Sequence, residues 1–101
     1  MEHYVVLITT PDADTANVIS EAVINENLAK CVNIIKEVNS VFHWDGKINH
    51  ENETLMIIKT KKENFKSLMK KVKTLHPYTV PEIIALPIVD GSEEYLSWLD
   101  S

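Results

Sequence analysis

With 15 carboxylates against 10 lysines and no arginine, the 101-residue chain has a net charge of −5, which argues against a nucleic-acid or anionic-membrane partner. It also offers no guanidinium fork for bidentate phosphate binding. The lone Cys31 cannot form an internal disulfide, no apolar stretch approaches the roughly 20 residues that span a bilayer, and Met1-Glu2-His3-Tyr4 lacks the basic start of a secretory signal, so a cytoplasmic protein is expected.

A chain of this size buries roughly 65% of its unfolded surface, enough for one domain over residues 1–101. His3 to Thr9 reads as a central strand, because Val5-Val6-Leu7-Ile8 is continuously apolar. Thr10 followed by Pro11 predicts a helix capped by the threonine and running to about Leu28, with Ala16, Ile19, Ala22 and Val23 inward. Residues 31–44 and 47–60 are strand-like, and Asp45-Gly46 between them is the dipeptide that a two-residue type I′ turn requires. That turn sets Trp44 against Lys47 and Val41 against His50. Each arm could reach roughly 45 Å at about 3.4 Å per residue, well beyond the flanking helices. Two outcomes are open: the ribbon overhangs and docks on neighbouring copies, or a bulge near Asn39-Ser40 bends it back over its own core.

Thr60-Lys61-Lys62-Glu63 has the form of a capping box, opening a second helix that ends near Leu75. Six lysines fall between Lys61 and Lys73, opposite Phe65, Leu68, Met69, Val72 and Leu75, and read as a solvated face. A last strand is expected over 80–89, then a short helix after Gly91-Ser92-Glu93-Glu94. The order β-α-β-β-α-β plus a C-terminal helix is the split βαβ, ferredoxin-like α+β arrangement: an antiparallel sheet with both crossover helices on one face. Apolar residues in both alternation phases imply that the other face also needs cover, which points to self-association.

Candidate chemistry concentrates between the second helix and the last strand. His76-Pro77-Tyr78-Thr79-Val80-Pro81-Glu82 places an imidazole, a phenol and a carboxylate in a segment stiffened by two prolines. Glu51, Glu53 and Lys59 share one alternation phase, able either to bind a ligand or to form a salt-bridge ladder. His43 and His50 are diagonal neighbours in the hairpin register, too few donors for a tight metal site within one protomer. The P-loop, nucleophile-elbow, G-x-G-x-x-G and C-x-x-C signatures are all missing, so no enzyme is expected.

Thr10-Pro11-Asp12, Leu28-Ala29-Lys30-Cys31-Val32-Asn33-Ile34, Trp44-Asp45-Gly46-Lys47, Glu53, Ile58-Lys59-Thr60, His76-Pro77-Tyr78, Val80-Pro81-Glu82-Ile83-Ile84 and Tyr95-Leu96-Ser97-Trp98 resemble, in order and spacing, the CutA divalent-cation tolerance proteins. The resemblance covers nearly the whole chain. It implies a ferredoxin-like homotrimer built by strand pairing, PII-like in shape, with a role in metal-ion tolerance and with copper or another divalent cation as ligand. On that basis Lys59, Tyr78, Glu82, Trp44 and Glu53 are expected to line ligand-binding clefts between subunits, and His76 and Cys31 to contribute metal donors. The chain departs from the family at two positions proposed to bind copper, with Ile8 in place of a cysteine and Leu75 in place of a second histidine. The alternative is a PII-like sensor of an anionic metabolite, with no physiological metal.

Overall fold

The computed structural model describes residues 2–101, and its elements run β1 (His3–Thr10), α1 (Ala13–Asn25), β2 (Cys31–Trp44), β3 (Lys47–Lys61), a single 3₁₀ turn (Lys62–Asn64), α2 (Phe65–Leu75), β4 (Ile83–Pro87) and α3 (Glu93–Asp100). The sheet order is β2-β3-β1-β4, antiparallel throughout, as the ferredoxin-like topology requires. Rows of side chains cross it. Val32, Ile58, Val6 and Ala85 share one face, while Cys31, Lys59, Val5 and Leu86 share the other.

On the first face Val6, Ile8, Met56 and Ile58 are fully buried beneath Ala16, Ile19 and Val23 of α1 and Leu68 and Val72 of α2. Against the expected stripe, Ser20 rather than Ala22 is buried, and its hydroxyl is satisfied at 2.7 Å by the Ala16 carbonyl one turn back. Helix α3 packs on the opposite face. Its own Leu99 is buried outside the main core, and the buried His3 ring lies 2.7 Å from Asp100.

The helix starts differ from expectation, for one shared reason. Thr10 does not cap α1. It is the fully buried last residue of β1, and its hydroxyl bonds the Asp12 and Thr54 carbonyls. Asp12 takes over the cap, its carboxylate accepting the Thr15 amide at 2.7 Å, and that bond holds the carboxyl below its ordinary range. Thr60 is likewise retained by its strand. Its hydroxyl donates to the Leu28 carbonyl at 2.6 Å, so the expected capping box does not form and α2 begins at Phe65. Helix α1 ends at Asn25, not Leu28, in a Schellman motif. Asn27 sits at φ 57°, the Leu28 amide bonds the Val23 carbonyl at 2.9 Å, and the Asn27 amide bonds Ile24 at 3.1 Å.

The hairpin has its expected turn, with Asp45 and Gly46 at φ 55° and 74°, and its expected register, with Trp44 opposite Lys47 and Val41 opposite His50. A bulge does occur, but between Ile35 and Val38 rather than at Asn39-Ser40, with Glu37 in the left-handed region at φ 59°. Beyond it the ribbon extends, every residue from Val41 to Ile48 is exposed, and the chain measures 44 × 25 × 22 Å. Strand β4 is shorter than the predicted 80–89. It pairs with β1 only as far as Ile8–Ile83, because Pro81 has no amide hydrogen and the next β1 carbonyl, Thr9, accepts from the His76 ring.

Replacing Thr60 by valine leaves the Leu28 carbonyl without its partner and is expected to cost about 1–3 kcal/mol. Glu63→Ala, which would break a capping box, is expected to stay within about 0.5 kcal/mol. Urea unfolding of the two variants checks the assignment.

Candidate functional site

The site grows from the carboxyl end of β1. Pro77 fixes the backbone between His76 and Tyr78, so the His76 ring folds back over its own loop. Its Nδ1 accepts the Tyr78 amide at 3.1 Å, and its Nε2 lies 2.7 Å from the Thr9 carbonyl. A backbone amide can only donate and a carbonyl can only accept, so the ring is neutral with its hydrogen on Nε2. The ring is buried, with its centroid 4.8 Å from that of Tyr78. The Tyr78 hydroxyl then donates to Glu53 Oε2 at 2.7 Å.

Glu53 is only 8% exposed, and among the described residues the phenol is the one hydrogen-bond partner of its carboxylate. Desolvation, then the bond to Glu53, then the nearby charges of Glu53, Glu51 and Asp12 push the Tyr78 phenol well above its ordinary value. The result is a neutral phenol clamped on a buried carboxylate, with further carboxylates close by.

The other expected residues lie elsewhere. Lys59 is six residues along β3 from Glu53, about 20 Å on the same face, where its ammonium bonds Asn33 and approaches Cys31 Sγ at 4.0 Å. Trp44 sits at the hairpin tip, 60% exposed, and Glu82 is exposed just before β4. The structure therefore joins His76, Tyr78 and Glu53 into one network, places Lys59 with Cys31 in a second, and leaves Trp44 and Glu82 apart. Sequence reasoning missed three participants: the Thr9 carbonyl, Asn33 and Tyr95, whose phenol is pushed upward by burial and by Cys31. Asn33 and Tyr95 both stand in motifs that carry the family resemblance, but without a site role.

Two surface hollows lie instead around Tyr4 and Phe65, one of about 510 Å³ beside Lys62 and Lys66, the other of about 570 Å³ between Met69 of α2 and Ile83 to Pro87 of β4. They contain none of the network residues. Tyr78 is half-buried and Glu53 nearly fully so, which leaves their contact at a ledge near the chain surface.

The donors do not fit a resident copper site within one chain. The Thr9 carbonyl lies in the row of Leu55 and Cys31 in that of Lys59, four residues further along β3, so His76 and Cys31 stand about 13 Å apart along the strand direction. Ile8 is fully buried in the core and Leu75 packs against it. His43 and His50 are exposed diagonal neighbours in the hairpin register. Among the described residues no three His, Cys, Asp or Glu side chains cluster closely enough to hold a metal ion.

A ferredoxin-like α+β protein, with a hydrogen-bonded loop network at the end of its central strand, is the class these features define. The chain belongs to the family described as "CutA1 divalent ion tolerance protein", whose model matches residues 4–101. It is 48% identical to the divalent-cation tolerance protein CutA of Thermus thermophilus, over 94% of this chain and 92% of that one. The solved CutA1 structure from Thermus thermophilus superposes with a TM-score of 0.94 at 47% identity, covering 96% of this chain and 94% of that chain. Rice (Oryza sativa) CutA1 does so with a TM-score of 0.96 at 41% identity, covering 99% and 92%. The bacterial relatives are named for tolerance of divalent cations and not for a reaction.

Tyr78→Phe leaves the buried Glu53 carboxylate without a donor and is expected to cost about 1.5–3 kcal/mol at neutral pH. The same bond sets a pH dependence. An unfolded tyrosine releases its proton near its ordinary value of 10.0, while native Tyr78 holds its proton to higher pH. The native state then carries more protons, so stability falls as pH rises above about 10. Denaturant unfolding between pH 8 and roughly 11 is expected to show that fall, reduced in Tyr78→Phe, with a remainder from Tyr95.

Proposed function

We propose that this chain serves divalent-cation tolerance as a cytoplasmic homotrimer that catalyses no reaction, holding a cation such as copper, or a small ligand, in clefts between subunits. The observation that carries the reading is the uncovered apolar face of the sheet. Helix α3 covers only the start of it, and Ile35, Ile84 and Leu86 remain 44%, 49% and 49% exposed, beside a ribbon tip bearing exposed Val41, Phe42, Trp44 and Ile48. Contiguous apolar surface of this kind marks an interaction site.

Self-association also accounts for the scatter of the candidate residues. Glu53 and Tyr78 stand at one end of the face, Lys59 at the other and Trp44 on the tip, so residues from different copies are needed to bring these groups around one cleft. A neighbour against the Tyr78–Glu53 ledge turns it into an enclosed site. A bound cation would draw donors from more than one subunit, in keeping with the lack of a three-donor cluster among the described residues. The family's name supports the tolerance role.

Sedimentation tests the assembly. The wild type is expected at three times the 11.5 kDa chain mass, and Leu86→Glu, which places a charge on the covered face, is expected to shift the population to smaller species. A wild type that sediments as a single chain overturns the reading. Calorimetric titration of the intact assembly with Cu²⁺ and Zn²⁺ is expected to show saturable binding that weakens when Leu86→Glu separates the subunits.

A further inference from the structure

The geometry points to His76 as a positioning residue, a two-ended clamp that sets the Tyr78 hydroxyl on Glu53, and not as a metal ligand. The inference takes its cleft from the reading above but stands on hydrogen bonds within one chain. An imidazole has two nitrogens, and both are engaged. Half of the arrangement resembles a metal-bound histidine, since Nε2–H to a backbone carbonyl is the usual outer contact of such a ring. The other half does not. The Nδ1 lone pair that a cation would need already accepts the Tyr78 amide, and taking it would strand that amide beside a buried ring.

What the clamp achieves follows from where its ends attach. One end is the Thr9 carbonyl of β1, whose residue pairs with Leu55 of β3, one position beyond the last β1–β4 pair, Ile8–Ile83. The other end is the residue whose hydroxyl must meet Glu53, 25 residues away in sequence. Pro77 removes one backbone rotation between them, and the two rings pack against each other tilted by 48° with centroids 4.8 Å apart. Tyr78 is thereby carried to Glu53 by a rigid lever anchored in the sheet. The ring is consumed in positioning, and a cation bound by the assembly takes its donors elsewhere.

Two-bond ¹H–¹⁵N imidazole spectra of the intact protein test this on the ring itself, independently of tolerance or oligomeric state. His76 is expected to show the pattern of a neutral ring with hydrogen on Nε2, and to keep it after one equivalent of Zn²⁺. A ring protonated on Nδ1, or nitrogen resonances that move with stoichiometric Zn²⁺, overturns the proposal. Variants give a second readout. Loss of even an outer partner of a metal site weakens binding roughly 10- to 100-fold, whereas His76→Gln is expected to leave Zn²⁺ and Cu²⁺ affinity unchanged. Glutamine retains an N–H donor for Thr9, so nuclear Overhauser contacts between the Tyr78 ring and Glu53 should persist in His76→Gln and be lost in His76→Ala. Tenfold weaker metal binding in His76→Gln, or Tyr78–Glu53 contacts unaffected by His76→Ala, counts against the clamp.

Discussion

A sheet that is apolar on both faces has to be covered twice, and this chain supplies two helices for one face and a single short helix for a corner of the other. The period of two along each strand makes this unavoidable, because Val5, Leu7, Leu55 and Ile57 point away from α1 and α2 as surely as Val6, Ile8, Met56 and Ile58 point toward them. The closed face carries the continuous buried core. The open face retains half-exposed Ile35, Ile84 and Leu86, and at roughly 25 cal/mol per Å² its burial is a larger driving force than any single hydrogen bond in the molecule. Shape, exposure and the scatter of polar groups all follow from that imbalance.

The candidate site depends on the same sheet through its central strand. Strand β1 is paired with β3 to its last residue and with β4 as far as Ile8, and three separate devices attach to its carboxyl end: the Thr10 hydroxyl, the Asp12 cap of α1 and the His76 ring. Each satisfies a backbone group that the end of a strand or the start of a helix would otherwise leave open. The Tyr78–Glu53 contact is therefore held by backbone accounting at the edge of the fold. Its buried carboxylate meets a neutral donor, which avoids the greater desolvation of an ion pair and leaves negative potential at the ledge.

Much of the fold was legible because its signals are local. Asp45-Gly46 fixed the turn and hence every cross-strand pair beyond the bulge, and apolar spacing located α1, α2 and their buried faces. The two threonines show where local reasoning fails. Thr10 and Thr60 stand where a cap is common, yet the Thr10 hydroxyl turns to the Asp12 carbonyl at 2.8 Å, with Thr54 at 3.4 Å, and the Thr60 hydroxyl to the distant Leu28 carbonyl. At Thr60 local propensity lost to a tertiary bond that leaves no mark in the flanking residues. The bulge was misplaced because Glu37 carries the positive φ without being Gly, Asn or Asp. At the site, His76, Tyr78 and Glu53 could be named from sequence, but not their connection, which spans 25 residues between Tyr78 and Glu53 and 67 between His76 and Thr9.

Lys59 shows how the open face can be covered by one kind of partner and not by any apolar surface. Its ammonium rises among Val5, Cys31 and Leu86 of its own row, where a purely apolar lid would bury a charge. The Asn33 amide oxygen already accepts from it, and the Cys31 sulfur stands at 4.0 Å, so part of the cost is met within the chain. The remainder has to come from acceptors on whatever covers the face. A second copy can provide them, because this chain has 15 carboxylates against 10 lysines and its ribbon carries Glu51 and Asp45 exposed. An aggregate of mismatched apolar surfaces cannot. A charge on that face constrains the register of any strand laid over it, since a shift by one residue would turn an opposing carboxylate to the wrong side of the pleat.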